Sequence, residues 1–423
     1  MQLFEPGPFH YLNNKLFCEH KSVEEIISTV GTPSYIYSKQ YFTERFKEFD
    51  EAFNDVSHSI FFAVKSNFNL NVMKIFSDLG SGLDVNSAGE LYRAKKIGTD
   101  PSKIIMSGVG KTKEEIKLAL EYNIKLIKAE SLEELKIIND VAGQLDKIAR
   151  VAFRVNPNVD AKTHPYISTG LAENKFGIDA SNAEEIYKIG SDLKNIALTG
   201  LDMHIGSQIT TTAPFVEAIE KMAELYTRIK SFGIPLAHFD IGGGIGVRYK
   251  DEKVFTPQEL ATAIKPIIKQ LNCEIMFEPG RYLTANGGIL VAELLYTKKN
   301  RNKMFYVTDA AMTELIRPSL YSAYHHVQPV VINSERETIK ADIVGPVCES
   351  SDFIAKNREI QQCQAGQKLA VMSTGAYGMV MASNYNGRRR PPEIIVDGDK
   401  FYTARGRESF EHLLWDEEVI KEI

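Results

Sequence analysis

Residues 59–87 read SIFFAVKSNFNLNVMKIFSDLGSGLDVNS. An apolar run ends on Lys65 and Ser66, an amphipathic stretch closes on Gly80, and a second apolar run ends on Asp84, Asn86 and Ser87. Short apolar runs bounded by Gly, Ser or Asn suit parallel strands buried on both faces. Apolar residues at three-to-four spacing, as in NVMKIFSDLG, suit a helix. The unit then repeats. Further strand-like runs are KIIMSG (103–108), KLIKAE (125–130), ARVAFRVN (149–156), LTGLDMHIGS (198–207), AHFDIGGG (237–244) and EIMFEPGR (274–281). The stretches between them, such as AGELYRAKKIG, TKEEIKLALEYN and SLEELKIIND, carry helical spacing, with Thr or Ser openings and Gly or Asn ends among them. Eight strand–helix units over roughly 220 residues match a TIM (β/α)8 barrel, typically ~250 residues long. An open doubly wound sheet commonly has fewer strands. The spacing predicts an α/β fold with the barrel over 31–285.

Beyond residue 281 the pattern changes. GILVAELLYT, KMFYVTDA, VQPVVIN, IKADIVGPV, QKLAVMSTG and PEIIVDGDKFYTAR follow one another across short turn-rich pieces. This predicts a mainly antiparallel β domain, a barrel or sandwich, over 286–423. Residues 1–30 read as a strand plus a helix that completes it. The stretch 157–176, PNVDAKTHPYISTGLAENKF, is too long and irregular for an ordinary connection and is a lid candidate.

Bulk composition narrows the partners. At 423 residues two domains are expected, and 43% hydrophobic with 25% charged residues is ordinary for a globular chain. The net charge of -5 argues against nucleic-acid or acidic-membrane partners. Four scattered cysteines without CxxC pairs suggest reduced thiols and a cytoplasmic setting. The start, MQLFEPGPFHYLNN, does not read as a signal peptide, and no apolar run approaches the ~18 residues of a membrane helix.

In a (β/α)8 barrel the chemistry sits where strands end. Lys65 ends strand 1, Asp84 and Asn86 strand 2, His204 and Ser207 strand 6, Gly242–Gly244 strand 7, and Glu278-Pro279-Gly280-Arg281 strand 8. An amine, a flat ring, two glycine turns of phosphate size and a carboxylate are the parts that hold pyridoxal 5'-phosphate. Taken singly, each has a blander reading. Lys65 is a solvated strand end, His204 a satisfied core histidine, the glycines a tight turn, and Glu278 a rim ion pair. GGGIG misses the dinucleotide fingerprint because residue 247 is Val, and Gly110-Lys111-Thr112 lacks the first glycine of a phosphate loop, Ile105 standing there. The nine histidines show no HxxxH spacing, so no metal is expected. In the β domain, Gly345-Pro346-Val347-Cys348-Glu349 sets a thiol beside a carboxylate, though a lone Cys is usually an inert hydrophobe. Tyr377 lies in a glycine-flanked turn, and Arg317 in IRPSLY reads equally as a surface charge.

Together, FFAVKSN, GLDVNSAGEL, NKFGI, HIGSQ, DIGGGIG, EPGR, LIRPSLY, GPVCESSDF and GAYGMVMASNYN resemble the fold-type III pyridoxal-phosphate-dependent decarboxylases, and among them the diaminopimelate decarboxylases. The resemblance covers essentially the whole chain. It implies that Lys65 forms the imine with the cofactor and that His204 stacks on its ring. Ser207, Gly244, Gly280 and Arg281 would hold its phosphate, Glu278 its ring nitrogen, with Asp84, Pro279 and Tyr377 beside it. Arg281, Arg317, Tyr321, Glu349 and Tyr377 would meet the substrate, whose far end carries a carboxylate and an ammonium. Cys348 would donate the proton that replaces CO2. The resemblance further implies a homodimer in which Cys348 and Glu349 reach the partner's cofactor. One departure stands out: many members of the family have His where this chain has Asp202. Decarboxylases of ornithine, arginine or carboxynorspermidine, and a non-catalytic cofactor carrier, are the alternatives. Arg317 with Glu349 disfavours the former, and retention of Lys65 with Cys348 the latter.

Overall fold

The structure, a computed structural model, describes residues 3–161, 169–170 and 174–421. The chain forms two compact units, one of Thr43–Arg248 with Glu252–Leu283, the other of Met1–Phe42, Tyr249–Asp251 and Thr284–Ile423.

In the first unit, eight parallel strands close on themselves. They are β1 (His58–Ala63), β2 (Gly82–Val85), β3 (Ile104–Met106), β4 (Leu126–Ala129), β5 (Ala149–Asn156), β6 (Ile196–Asp202), β7 (His238–Asp240) and β8 (Glu274–Phe277). Each pairs with its successor, and the ring shuts where Ile275 of β8 registers with His58 of β1. All eight expected runs are strands. Their apolar side chains fill the interior, with Phe61, Ile105, Leu126, Ala152 and Met276 in one buried cluster. Burying these side chains is the main favourable term, roughly 1.5–3 kcal/mol each for the larger ones. Gly82 makes room for Phe61: a Cβ there would sit 2.3 Å from the Phe61 ring.

Helices begin where cap chemistry permits. Asn69, Ser87 and Ser131 accept hydrogen bonds from first-turn amides, and Thr112 and Thr256 form reciprocal capping boxes with Glu115 and Glu259. Thr112, from the rejected Gly-Lys-Thr, is thus a helix cap, and Lys111 pairs with Glu134 at 2.9 Å. Helix Lys39–Ala52 precedes β1, and its Phe49, with Phe53 just beyond, packs edge-on or tilted against Phe277 of β8 at ring distances of 5.2 and 4.4 Å. Within the lid candidate, Val159 N–H donates to Gly170 at 2.9 Å and Thr169 Oγ1 to the His204 carbonyl at 2.9 Å. Its residues 162–168 and 171–173 lie outside the described residues.

The second unit is a nine-stranded, mainly antiparallel sheet built on the long strand Gly288–Asn300. That strand pairs with Lys303–Thr308, Lys368–Val371 and Ser34–Ser38, all antiparallel. The N-terminal stretch folds as three short strands and helix Val23–Val30, rather than one strand and a helix. Ser34–Ser38 also pairs in parallel with Glu393–Asp397, so the chain leaves this unit after Phe42, later than the expected boundary at 31.

Candidate active site

The strand ends of the barrel bring the chemistry-bearing side chains together. After Ala63 the chain tightens into a 3-10 turn, Val64–Ser66, and Lys65 leaves it with its amine 3.5 Å from Asp84 Oδ2 at the end of β2. The lysine side chain is 40% exposed and the aspartate 0%, so the lysine reaches solvent while its counter-ion does not. Asp84 Oδ1 is buried with no hydrogen-bond partner. Burial, with the charge of Glu278 beside it, pushes Asp84 up to about 6 despite Lys65 and Lys128.

After β6, His204 Nδ1 accepts the Gly243 N–H at 3.2 Å, which assigns the ring proton to Nε2. Burial, then the charges of Arg154 and Lys65, holds the imidazole well below its ordinary value, so the ring is neutral and flat. Arg154 grips the His204 carbonyl at 3.3 Å and Glu130 at 3.3 Å. Two residues on, Ser207 Oγ accepts from both Nε and a terminal nitrogen of Arg281, at 3.1 and 3.0 Å.

After β7, Gly242 and Gly244 take φ of 75° and 109°, values that suit glycine. A Cβ on Gly243 would fall 2.2 Å from the Glu278 carbonyl oxygen. Glycine therefore lets the β7 and β8 turns lie against each other, with the Gly242 and Gly243 amides taken by Asp240 Oδ1 and His204 Nδ1. Gly280 is less tightly confined: a Cβ there would lie 3.0 Å from the Ser66 side chain.

Beneath this mouth lies a group that the strand pattern did not single out. Lys128 of β4 is fully buried, its ammonium 2.7 Å from Asp202 and 2.6 Å from Asp240, and in contact with Glu278 Oε1. The three carboxylates converge around it, so the ammonium occupies the place a cation would take. Asp240 Oδ1 also accepts the Gly242 N–H at 2.8 Å, tying the group to the glycine turn. Burial works to raise Glu278, but Lys128 and Lys65 overcome it and hold the carboxyl at about 2. Burial prevails at Asp202 and Asp240, which stay raised. A lysine inside the apolar run KLIKAE was the available signal, because an interior strand position rarely takes an ammonium unless acids meet it.

In the other unit, Arg317 opens helix Arg317–Tyr321 and is buried, not a surface charge. It donates to His325 Nε2 at 2.9 Å and lies 4.9 Å from the Tyr249 ring centre. Ser319 Oγ bonds the Ser351 carbonyl at 2.5 Å, which ties this helix to the Cys348–Glu349 turn. Cys348 is exposed and its N–H donates to Asn386 Oδ1 at 3.0 Å, while Glu349 accepts from Tyr385 at 2.7 Å. Tyr377, at φ 56°, stands between Gly375 and Gly378, where Cβ atoms would meet carbonyl oxygens at 1.9 and 2.5 Å.

Residues 39–285 match the family described as "Pyridoxal-dependent decarboxylase, pyridoxal binding domain". A diaminopimelate decarboxylase of Haemophilus influenzae is 47% identical over 406 residues, 96% of this chain and 98% of that protein. The chain belongs to the diaminopimelate decarboxylase family. Solved structures agree with that membership. The diaminopimelate decarboxylase of M. jannaschii, in complex with L-lysine, superposes with a TM-score of 0.94 at 34% identity, covering 99% of both chains. That of Helicobacter pylori, also with L-lysine, gives 0.89 at 40% identity over 92% of this chain and 98% of its own. Diaminopimelate decarboxylase family membership makes the chain a carboxy-lyase, and the family's pyridoxal-binding domain, matched over residues 39–285, spans the barrel.

Proposed function

We propose that the chain binds pyridoxal 5'-phosphate in the barrel mouth and converts meso-2,6-diaminopimelate to L-lysine and CO2, the final step of lysine biosynthesis. The observation that carries this is one mouth holding a partly exposed lysine, an acidic group kept ionised, and a glycine cradle beside an Arg–Ser pair. The residues fit the cofactor. Lys65 offers the amine for its aldehyde, and the unpartnered Asp84 Oδ1 offers an acceptor nearby. Gly244, Gly280, Ser207 and Arg281 offer donors for its phosphate, and His204 a neutral face for its ring.

Pyridoxal phosphate supplies, when bound, an electron sink for the charge left on Cα as CO2 departs. The chain supplies the rest. Glu278, ionised, keeps a proton on the ring nitrogen and so keeps the sink strong. Arg317 and Tyr321, with Arg281, take the substrate's distal carboxylate, and Glu349 takes its distal ammonium. A guanidinium recognises a carboxylate through two parallel hydrogen bonds, and a ligand lacking it would leave a buried charge unpaired. Lysine and ornithine are rejected on that ground. Tyr377 lies beside cofactor and substrate. Cys348 holds the proton delivered to Cα, a task suited to a thiol whose ordinary pKa is about 8.5. Exposure of Cys348 and Glu349 supports their serving the partner's barrel in a homodimer. Among the described residues no helix is long and apolar enough to cross a membrane, and the absence of paired cysteines supports a cytoplasmic setting.

The test is CO2 release from diaminopimelate, lysine, ornithine and arginine, with and without added pyridoxal phosphate. Turnover of diaminopimelate alone, dependent on the cofactor, is expected. Faster turnover of ornithine or arginine would overturn the substrate assignment.

A further inference from the structure

Lys128 has no part in the function proposed above, yet it is built into the floor of the same mouth. A lysine ammonium has three N–H donors and no acceptor. Here it meets three carboxylates, those of Asp202, Asp240 and Glu278, and all four side chains are nearly inaccessible. One carboxylate would suffice to neutralise the ammonium, so the other two serve to hold it in place. Both protein donors that reach the Glu278 carboxylate, Lys128 Nζ and Ser107 Oγ, fall on Oε1. Oε2 accepts no hydrogen bond from the described residues. The carboxylate is thus fixed through one oxygen with the other left for a ligand.

We propose that Lys128 is a positioning residue for the cofactor: it holds Glu278 ionised and oriented so that Oε2 accepts the ring N–H of bound pyridoxal phosphate. The inference rests on the cofactor reading given under the proposed function. Asp202 and Asp240 hold the ammonium in place, and Asp240 couples it to the glycine turn through Gly242. This also gives Asp202 a reason. An acid where many family members carry histidine is the counter-ion of a buried lysine. Without Lys128, burial and the neighbouring acids would drive Glu278 toward its protonated form, which cannot accept that N–H through a charged oxygen.

The experiment compares the affinity of pyridoxal phosphate with that of its 1-deaza analogue, in which C–H replaces the ring nitrogen. The native chain should prefer pyridoxal phosphate by roughly tenfold or more, the scale of one charge-assisted hydrogen bond. Lys128→Met with Asp202→Asn removes one charge of each sign, so the apoprotein should melt near the native temperature. Its preference should fall toward unity, because both ligands would then meet the same uncharged or misdirected Glu278. If that double variant does not fold, adding Asp240→Asn leaves Glu278 the only acid of the group, and the same ratio is read. An unchanged preference, no preference in the native chain, or failure of both variants to fold would overturn the proposal. In the last case Lys128 is a requirement of the fold alone. If the native chain binds no pyridoxal phosphate at all, the cofactor reading itself fails, a result separate from these.

Discussion

Arg317 is buried, with a guanidinium nitrogen 2.9 Å from His325 Nε2 and the Tyr249 ring 4.9 Å away. His325 Nδ1 lies 2.9 Å from the Met372 carbonyl, so that nitrogen carries the proton and Nε2 accepts from the arginine. An arginine held this way is aimed, and loses little entropy on meeting a carboxylate. Arg317→Gln keeps a donor for His325 but loses the charge. The expected result is a roughly ten- to hundred-fold fall in kcat/KM for diaminopimelate, the equivalent of about 1.5–3 kcal/mol, with little change in melting temperature. Wild-type kcat/KM in a normally folded variant would remove Arg317 from the substrate site. The sequence around Arg317, IRPSLY, left this open because its partners, Tyr249 and His325, are distant in the chain or carry no spacing signal. The placing of Lys65, Glu278 and the glycines just beyond strand ends was easier to read, since an apolar run stops before each. Lys128 was missed because it lies within a strand, where only the fold reveals that three acids surround it.

At the scale of elements, the β7 and β8 turns depend on glycine in a way that can be measured. Gly243→Ala places a methyl 2.2 Å from a backbone oxygen, where no flexible side chain can give way. The variant should lose about 1–3 kcal/mol of stability, and weaken pyridoxal phosphate binding, as the turns are pushed apart. Unaltered melting and cofactor affinity would mean the turns do not form the cradle. Strand and helix positions were legible because apolar runs and caps are local; the extension of the second unit back to Ser34–Ser38 was not, because sheet pairing joins residues more than 250 apart in sequence. Glu314, three residues before Arg317, provides a pH-dependent test of that unit's packing. Burial raises it to about 7, against the charge of Arg388 and its hydrogen bonds from Ala311 and Thr313. A raised carboxyl contributes stability that is complete below its unfolded value of roughly 4.3 and is lost as pH climbs through 7. Glu314→Gln does not titrate, so its melting temperature relative to the native chain should rise steadily over that window. A difference independent of pH would show that folding leaves the Glu314 carboxyl at its ordinary value.

Across the whole molecule, the barrel supplies Lys65 while the other unit supplies an exposed Cys348. If both serve one site of a homodimer from different subunits, their loss can be complemented. Lys65→Ala and Cys348→Ala chains should each be inactive, or nearly so, alone. Mixed under conditions that exchange subunits, half of the dimers are heterodimers when exchange is random and amounts are equal. Each heterodimer has one site lacking both residues and one site with both intact, because the lysine and the cysteine of a site come from different chains. Half of the sites in half of the dimers are whole, so roughly a quarter of the native activity should return. If Cys348 serves its own chain's barrel instead, every site in the mixture lacks one residue or the other, and activity stays at the sum of the parents. The same variants separate a third case. Should Cys348→Ala alone retain full activity, the proton on Cα comes from another group, and the shared site loses its chemical reason. Recovery near a quarter, in a sample shown by mass to contain heterodimers, is the outcome that the exposed Cys348–Glu349 turn and the barrel-borne lysine together lead us to expect.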